Sequence, residues 1–417
     1  MNKIDFQMEF DKYESGLLGL QFDKPDPYGS LAMPIYNALA FEFETAEEME
    51  AAFKGESSAH TYSRITNPTV HYFEDRVKKI TQSVAVTALN SGMAAISNAF
   101  LTIAKSGDNI VTTSKLFGNT YSFFSNTLKE FGVEVRFCDL TNQTEVSKAI
   151  DENTCAVFVE IIANPQMEVV DMKALSETAH AHNVPLVADT TLIPFSSFRA
   201  SDLGVDIDVI SSTKYISGGG TSLGGLIIDY GTFDWSNSKK LKPYVGQQPS
   251  AFHFKLRKEI HRNLGAYMTP QAAHLQMLGL ETMKIRYSRQ ADTCMSLAKR
   301  LQAHPQVKSV SYPGLEQDKY HELSTQQFGN QYGAMLTFDL ESKEKCFRFL
   351  NSLSLIRRAT NLFENRTLAL HPATTIYATF SPQQCESVDV RYTTIRLSVG
   401  LEDAYSLFED IGQALES

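Results

Sequence analysis

The chain has 417 residues, too long for one ordinary core, so two large units are expected. Hydrophobic residues at 43% and charged residues at 21% match a globular protein, and a net charge of −10 without a basic run argues against duplex nucleic acid and anionic membranes as partners. Acids in the opening MNKIDFQMEFD, no apolar run near the roughly 18 residues that cross a bilayer, and scattered cysteines (Cys138, Cys155, Cys294, Cys346, Cys385) that read as buried reduced thiols point to a cytoplasmic protein.

Residues 1 to about 60 show no sustained alternation of strand and helix. They hold a turn-rich stretch from Lys24 to Gly29 and a short helix expected over Thr45 to Lys54. Their aromatics, Phe41, Phe43, Phe53 and Tyr62, favour an arm that docks on something over a disordered tail. From residue 84 strands and helices alternate. Strands are expected at 84–89, 109–113, 133–137, 156–161, 184–189, 206–210 and 225–228, with helices after Ser91, over 119–131 and over 171–182. Apolar strands separated by helices imply a mostly parallel sheet covered on both faces, an α/β architecture. Residues 255–302 read as largely helical, with a kink or break at Pro270. Strands at 307–312, 333–339 and 394–399, with helices near 343–352 and 402–415, then suggest a smaller α+β unit.

The segment SSTKYISGGG, Ser211 to Gly220, follows a strand and sets one lysine between hydroxyls and glycines. A lysine there can form a Schiff base while the hydroxyls hold a phosphate beside it. In open α/β sheets ligands bind beyond the carboxyl ends of the strands, and Glu160, Asn164, Asp189 and Lys214 all fall at such ends. Gly92 and Met93 open a helix straight after a strand, where backbone N–H groups receive phosphate. The Gly218–Gly225 stretch lacks P-loop order and reads as tight turns near the lysine. The ten histidines show no ligand spacing, so no metal is expected: His180 and His182 point to different helix faces, and the role of His371 is open.

In order along the chain stand YSRITNPT from Tyr62, NSGMAA from Asn90, FGNT from Phe117, EIIANP from Glu160, VADTT from Val187, SSTKY from Ser211 and IRLSVG from Ile395. With these landmarks the chain resembles the Cys/Met-metabolism group of pyridoxal phosphate enzymes over about residues 30 to 405. The resemblance implies the fold type I transferase architecture: an N-terminal arm (1–62) contacting a neighbouring subunit, a large cofactor-binding domain (63–262) and a small C-terminal domain (263–417). It implies pyridoxal 5'-phosphate held covalently by Lys214. Asp189 would pair with the pyridine nitrogen, Asn164 would contact the phenolic oxygen, and Gly92, Met93, Ser211 and Thr213 would bind the phosphate. Phe117 would stack on the ring and Glu160 would orient neighbours. Arg396 would fork onto the substrate α-carboxylate, with Asn361 near it. Tyr62 and Arg64 would reach the phosphate of a neighbouring subunit, which makes a homo-oligomer with shared active sites, a dimer of dimers, the expectation.

Departures from the family pattern bear on the reaction. Most members have tyrosine where Phe117 stands, so stacking is kept and a hydroxyl lost. Methionine γ-lyases typically carry cysteine at the position of Asn119, and asparagine at 361 is more typical of O-acetylhomoserine sulfhydrylases. The implied reaction is γ-replacement on O-acetyl-L-homoserine by sulfide or methanethiol. The alternatives are γ-elimination to an α-keto acid, ammonia and a thiol, or a non-catalytic protein that binds the cofactor.

Overall fold

Short apolar runs, each closed by a polar turn, build the larger sheet. The computed structural model describes residues 13–20 and 26–417, so the acidic N-terminal stretch and the first two residues of the turn-rich segment lie outside the described residues. The strands are β1 (Ala85–Leu89), β2 (Asn109–Thr112), β3 (Glu134–Phe137), β4 (Thr154–Glu160), β5 (Leu186–Asp189), β6 (Ile207–Ile210) and β7 (Gly225–Asp229). Their order is β1-β7-β6-β5-β4-β2-β3. Four neighbouring pairs are parallel, and β7 runs antiparallel to both β1 and β6. Being antiparallel to the same strand, β1 and β6 run the same way. The carboxyl ends of β1, β4, β5 and β6 therefore share one edge, where a ligand site is expected.

Helices cover the sheet on both faces. The helix Gly92–Ile103 leaves β1 at once, its N-cap Ser91 accepting from the Ala94 N–H at 3.1 Å. Phe100 of this helix, Phe158 of β4 and Phe124 meet edge to face, with centroids 4.8–5.5 Å apart and no ring exposed. Such pairs contribute about 0.5–1.5 kcal/mol each beyond area burial. They fix the helix start relative to the strand ends.

The second sheet comprises β8 (Ser309–Ser311), β9 (Met335–Asp339), β10 (Arg357–Arg358), β11 (Leu368–Leu370) and β12 (Thr394–Ser398), ordered β10-β11-β12-β9-β8. Only β10 and β11 pair in parallel. The helices Met283–Gln302 and Lys343–Ser352 pack on it, and Ala404–Glu416 packs on those two helices.

Several details depart from the expectations. Pro270 is no kink. It is the first residue of the helix Pro270–Glu281, capped by the Thr269 side chain, where its missing N–H is harmless. The strands β10 and β11 escaped notice because two or three residues give no period to read. A helix over Pro68–Thr81, opened by the Asn67 cap and Pro68, is carried by start signals inside the motif YSRITNPT. The helix after Phe117 is wound as a π-helix over Phe123–Leu128. All five cysteines are free, but Cys138 and Cys155 are only half-buried, against the expected burial. His371 is a core histidine: one ring nitrogen meets the Thr374 hydroxyl and the other the Tyr392 carbonyl, both at 2.8 Å. Among the described residues no helix is long and apolar enough to cross a membrane.

Candidate active site

The shared edge of the large sheet opens into a cavity of about 690 Å³, closed on its far side by β12 and the loop before β11. Gly92 and Met93 line it from the start of the helix after β1, Phe117 from the loop after β2, and Glu160 and Asn164 from the end of β4. Asp189 enters from β5, and Ser211, Thr213 and Lys214 enter from the turn after β6. Asn361 and Arg396 come from the second sheet and its loop. Ten residues picked out by sequence for cofactor or substrate thus converge on one cavity. Tyr62 and Arg64 do not line it. Tyr62 is 40% exposed, and the Arg64 guanidinium lies 5.5 Å from its ring centre and donates to the Arg262 carbonyl.

Lys214 is held by the turn that carries it. Its N–H donates to the Ser211 carbonyl at 3.2 Å, and its own carbonyl accepts from Gly218 at 3.0 Å. The next side chain, Tyr215, is buried and stacked on Phe363 at 4.2 Å, while its hydroxyl accepts from the Ala334 N–H. The Lys214 amine donates to Asn361 Oδ1 at 2.7 Å. Burial first, then the Arg396 guanidinium, bring this amine down to about 8, against the opposing pull of Glu364 and Asp189. An unfolded chain would keep the proton up to the ordinary lysine range. Between about 8 and that range the unfolded state binds more protons, so this group favours the folded apoprotein increasingly as pH rises. The neutral amine is also the form that attacks an aldehyde. Pyridoxal phosphate uptake by the apoprotein is therefore expected to accelerate as pH rises through about 8 and then level off, read by absorbance stopped-flow. A rate flat across that range contradicts the assignment.

Two carboxyls sit under the cavity. Burial pushes Glu160 well up, the neighbouring Asp189 adding to the effect, and Glu160 Oε1 accepts from the Phe117 N–H at 2.7 Å. Burial also raises Asp189, while hydrogen bonding from Thr191 and the Lys214 charge oppose it. Arg396 is the third notable charge. Only 2% exposed, it donates to Asn164 Oδ1 at 3.2 Å and to the Thr360 and Asn361 carbonyls at 3.4 Å each. Its Nε has no partner, and among the described residues no carboxylate is paired with it. Desolvation pulls it down to about 9. A buried guanidinium with only long bonds to neutral oxygens is primed for an anion.

The residues fit a phosphorylated pyridine aldehyde. A Cβ on Gly92 would lie 2.7 Å from Ser211 Cβ, so only glycine lets the helix start and the Ser211 turn meet as one cradle. The first-turn N–H groups of that helix precede its first intrahelical bond, from Ala95 to the Ser91 carbonyl. A reactive amine, a buried carboxyl and two hydroxyls complete the donor set.

Two supporting residues went unrecognised in the sequence. Thr191 ties β5 to β6: its N–H donates to Asp189 Oδ1 and its hydroxyl accepts from the Ser211 N–H, both at 2.9 Å. The Asp-x-Thr spacing could have flagged it, as a turn closed by the aspartate side chain. Tyr377, fully buried, donates to the Leu116 carbonyl at 2.7 Å and the Asn164 carbonyl at 3.2 Å. Nothing in its local sequence marks it.

Residues 18–416 match the family of Cys/Met metabolism PLP-dependent enzymes. The chain belongs to that family. Its fold is that of the fold type I enzymes. A crystal structure of a putative O-acetylhomoserine (thiol)-lyase from Campylobacter jejuni, carrying a pyridoxyl-lysine, superposes with a TM-score of 0.93 at 31% identity, covering 97% of this chain and all of that one. The O-acetylhomoserine sulfhydrylase of Wolinella succinogenes shares 47% identity at a TM-score of 0.76, covering 85% of this chain and 99% of the other. The L-methionine gamma-lyase of Fusobacterium nucleatum subsp. polymorphum is 34% identical over 98% of this chain and its own full length. This family member is thus a pyridoxal-phosphate-dependent enzyme of the trans-sulfuration group.

Proposed function

We propose that the protein catalyses γ-replacement on O-acetyl-L-homoserine, with sulfide or methanethiol displacing acetate to give homocysteine or methionine. The observation that carries this reading is Asn361, whose amide oxygen takes the Lys214 amine at 2.7 Å at a position where asparagine typifies sulfhydrylases. The 47% identity to the Wolinella sulfhydrylase supports it.

In this reading Lys214 anchors the cofactor and Asp189 faces its pyridine nitrogen. Asn164 reaches the phenolic oxygen, and Gly92, Met93, Ser211 and Thr213 take the phosphate. Bound there, pyridoxal phosphate supplies an electron sink for charge developing at the substrate α-carbon. Arg396 orients the substrate by its α-carboxylate. Lys214 Nζ, freed when the substrate amine takes its place, removes the proton at Cα and serves proton transfer at Cβ as acetate leaves Cγ. It returns a proton once sulfur has bonded to Cγ. Tyr62 and Arg64, outside their own cavity, are assigned to the phosphate of a neighbouring subunit, with residues 1–62 as the arm that reaches it and the assembly as a dimer of dimers.

The test supplies O-acetylhomoserine with sulfide, and separately methionine alone. Homocysteine from the first and no keto acid from the second is the expected pattern. The reverse pattern installs the second reading, γ-elimination, which the 34% identity to an L-methionine gamma-lyase keeps in play. Phe117 bears on the rate of either reaction, because a tyrosine hydroxyl there would help strip the proton from an incoming amine. Phe117→Tyr is expected to raise kcat/KM for elimination from methionine by about tenfold or more, the scale of a general base restored. Keto-acid formation measures it.

A further inference from the structure

The loop before β11 brings an acid to within one amide of the lysine. Asn361 stands between them: Lys214 Nζ donates to its Oδ1 at 2.7 Å, and its Nδ2 donates to Glu364 Oε2 at 2.7 Å. An ionised carboxylate only accepts, so the amide must turn its NH₂ toward Glu364 and its oxygen toward Lys214. Glu364 is 8% exposed, and its other oxygen takes Arg366 Nη1 at 2.9 Å from a guanidinium that reaches solvent.

The chain is built to hold this acid in place. Gly220, six residues past Lys214, has φ +65°, and a Cβ there would lie 2.5 Å from Glu364 Oε2. The Glu364 carbonyl accepts from Gln290 Nε2 at 2.8 Å, and the Phe363 N–H donates to Ser398 Oγ at 2.8 Å. Phe363 itself sits at φ +55° and stacks on Tyr215. The loop is thus pinned from the helix Met283–Gln302, from β12 and from the lysine turn.

We propose that Glu364 is a positioning residue for Lys214: its carboxylate locks the Asn361 amide oxygen toward the lysine amine and so holds that amine and its proton at one place in the cavity. The other charges facing the amine are Asp189 from β5, which also favours the proton, and Arg396 from β12, which opposes it. Glu160 of β4 lies against Asp189, whose charge raises it. With the charge removed, the amide is free to turn over, and Arg396 is left less opposed.

The inference rests on Lys214 anchoring the cofactor, so its test is read on the full-length apoprotein without turnover. Acetic anhydride acylation of Lys214 is followed against pH by peptide mass spectrometry, normalised to the exposed Lys299. Glu364→Gln is expected to shift the midpoint downward and speed labelling below it by about threefold to tenfold, the effect of one partly screened charge. The high-pH plateau should stay unchanged, because greater access alone would raise the rate at every pH. Glu364→Asp keeps the charge and should fall between the two. A folded Glu364→Gln protein with the wild-type midpoint overturns the proposal. If that variant does not fold, Arg366→Gln is decisive: it leaves Glu364 unneutralised and should move the midpoint upward, and an unmoved midpoint again overturns the proposal. Borohydride capture of the cofactor on a lysine other than Lys214 would overturn the anchor assignment instead, a separate failure.

Discussion

Lys214→Ala is expected to lose at least about 10³-fold in turnover, because one amine serves as anchor and as proton carrier. The loss follows from where that amine sits. Lys214 is the lysine that lines the cavity among the described residues, and its proton is already loosened by burial and Arg396. The visible absorbance of the covalently held cofactor should vanish with it. Added small amines should restore the absorbance of an imine, with only a trace of turnover, since a diffusing amine is not held by Asn361. Turnover within tenfold of wild type would remove Lys214 from the mechanism altogether.

The second large effect is expected at Arg396. Arg396→Lys should lower kcat/KM by about 10²-fold and Arg396→Ala by about 10³-fold, mostly through KM, because a buried charged hydrogen-bond partner is worth about 2–5 kcal/mol. Lysine keeps the charge but loses the fork that grips both carboxylate oxygens. The orphaned Nε and the long 3.2–3.4 Å bonds of the present guanidinium show the capacity held in reserve. A substrate analogue without the α-carboxylate should be handled almost equally by wild type and Arg396→Ala. An unchanged KM for Arg396→Lys would assign carboxylate recognition elsewhere.

The parts of the site legible in the sequence share a physical cause. Asp189, Glu160 and Lys214 stand where an apolar run ends, and the end of a parallel strand is a place that sequence periodicity can locate. Gly92 and Ser91 were legible as a helix start for the same reason. Tyr377 and Glu364 act through neighbours distant in the chain, and no local pattern announces such contacts, whereas Thr191 closes a local turn with Asp189 that the Asp-x-Thr spacing could have shown. The reversed direction of β7 was also illegible, because an apolar strand reads alike in either direction. Pro270 shows the converse: its fixed φ both ends helices and begins them, and only the Thr269 cap decides which.

The bond from Lys214 to Asn361 spans 147 positions, and Arg396 lies further on still. Contacts this distant form late, after most of the loop-closure entropy has been lost. A nascent or truncated chain ending before Asn361 carries the strand ends and the Gly92–Ser211 cradle in its sequence, yet its lysine has no amide to rest on and no guanidinium beside it. A ligand that prefers the finished cavity stabilises only the finished chain. A chain cut short of Asn361 therefore lacks two of the groups that complete the cavity, Asn361 and Arg396, whatever its large sheet does.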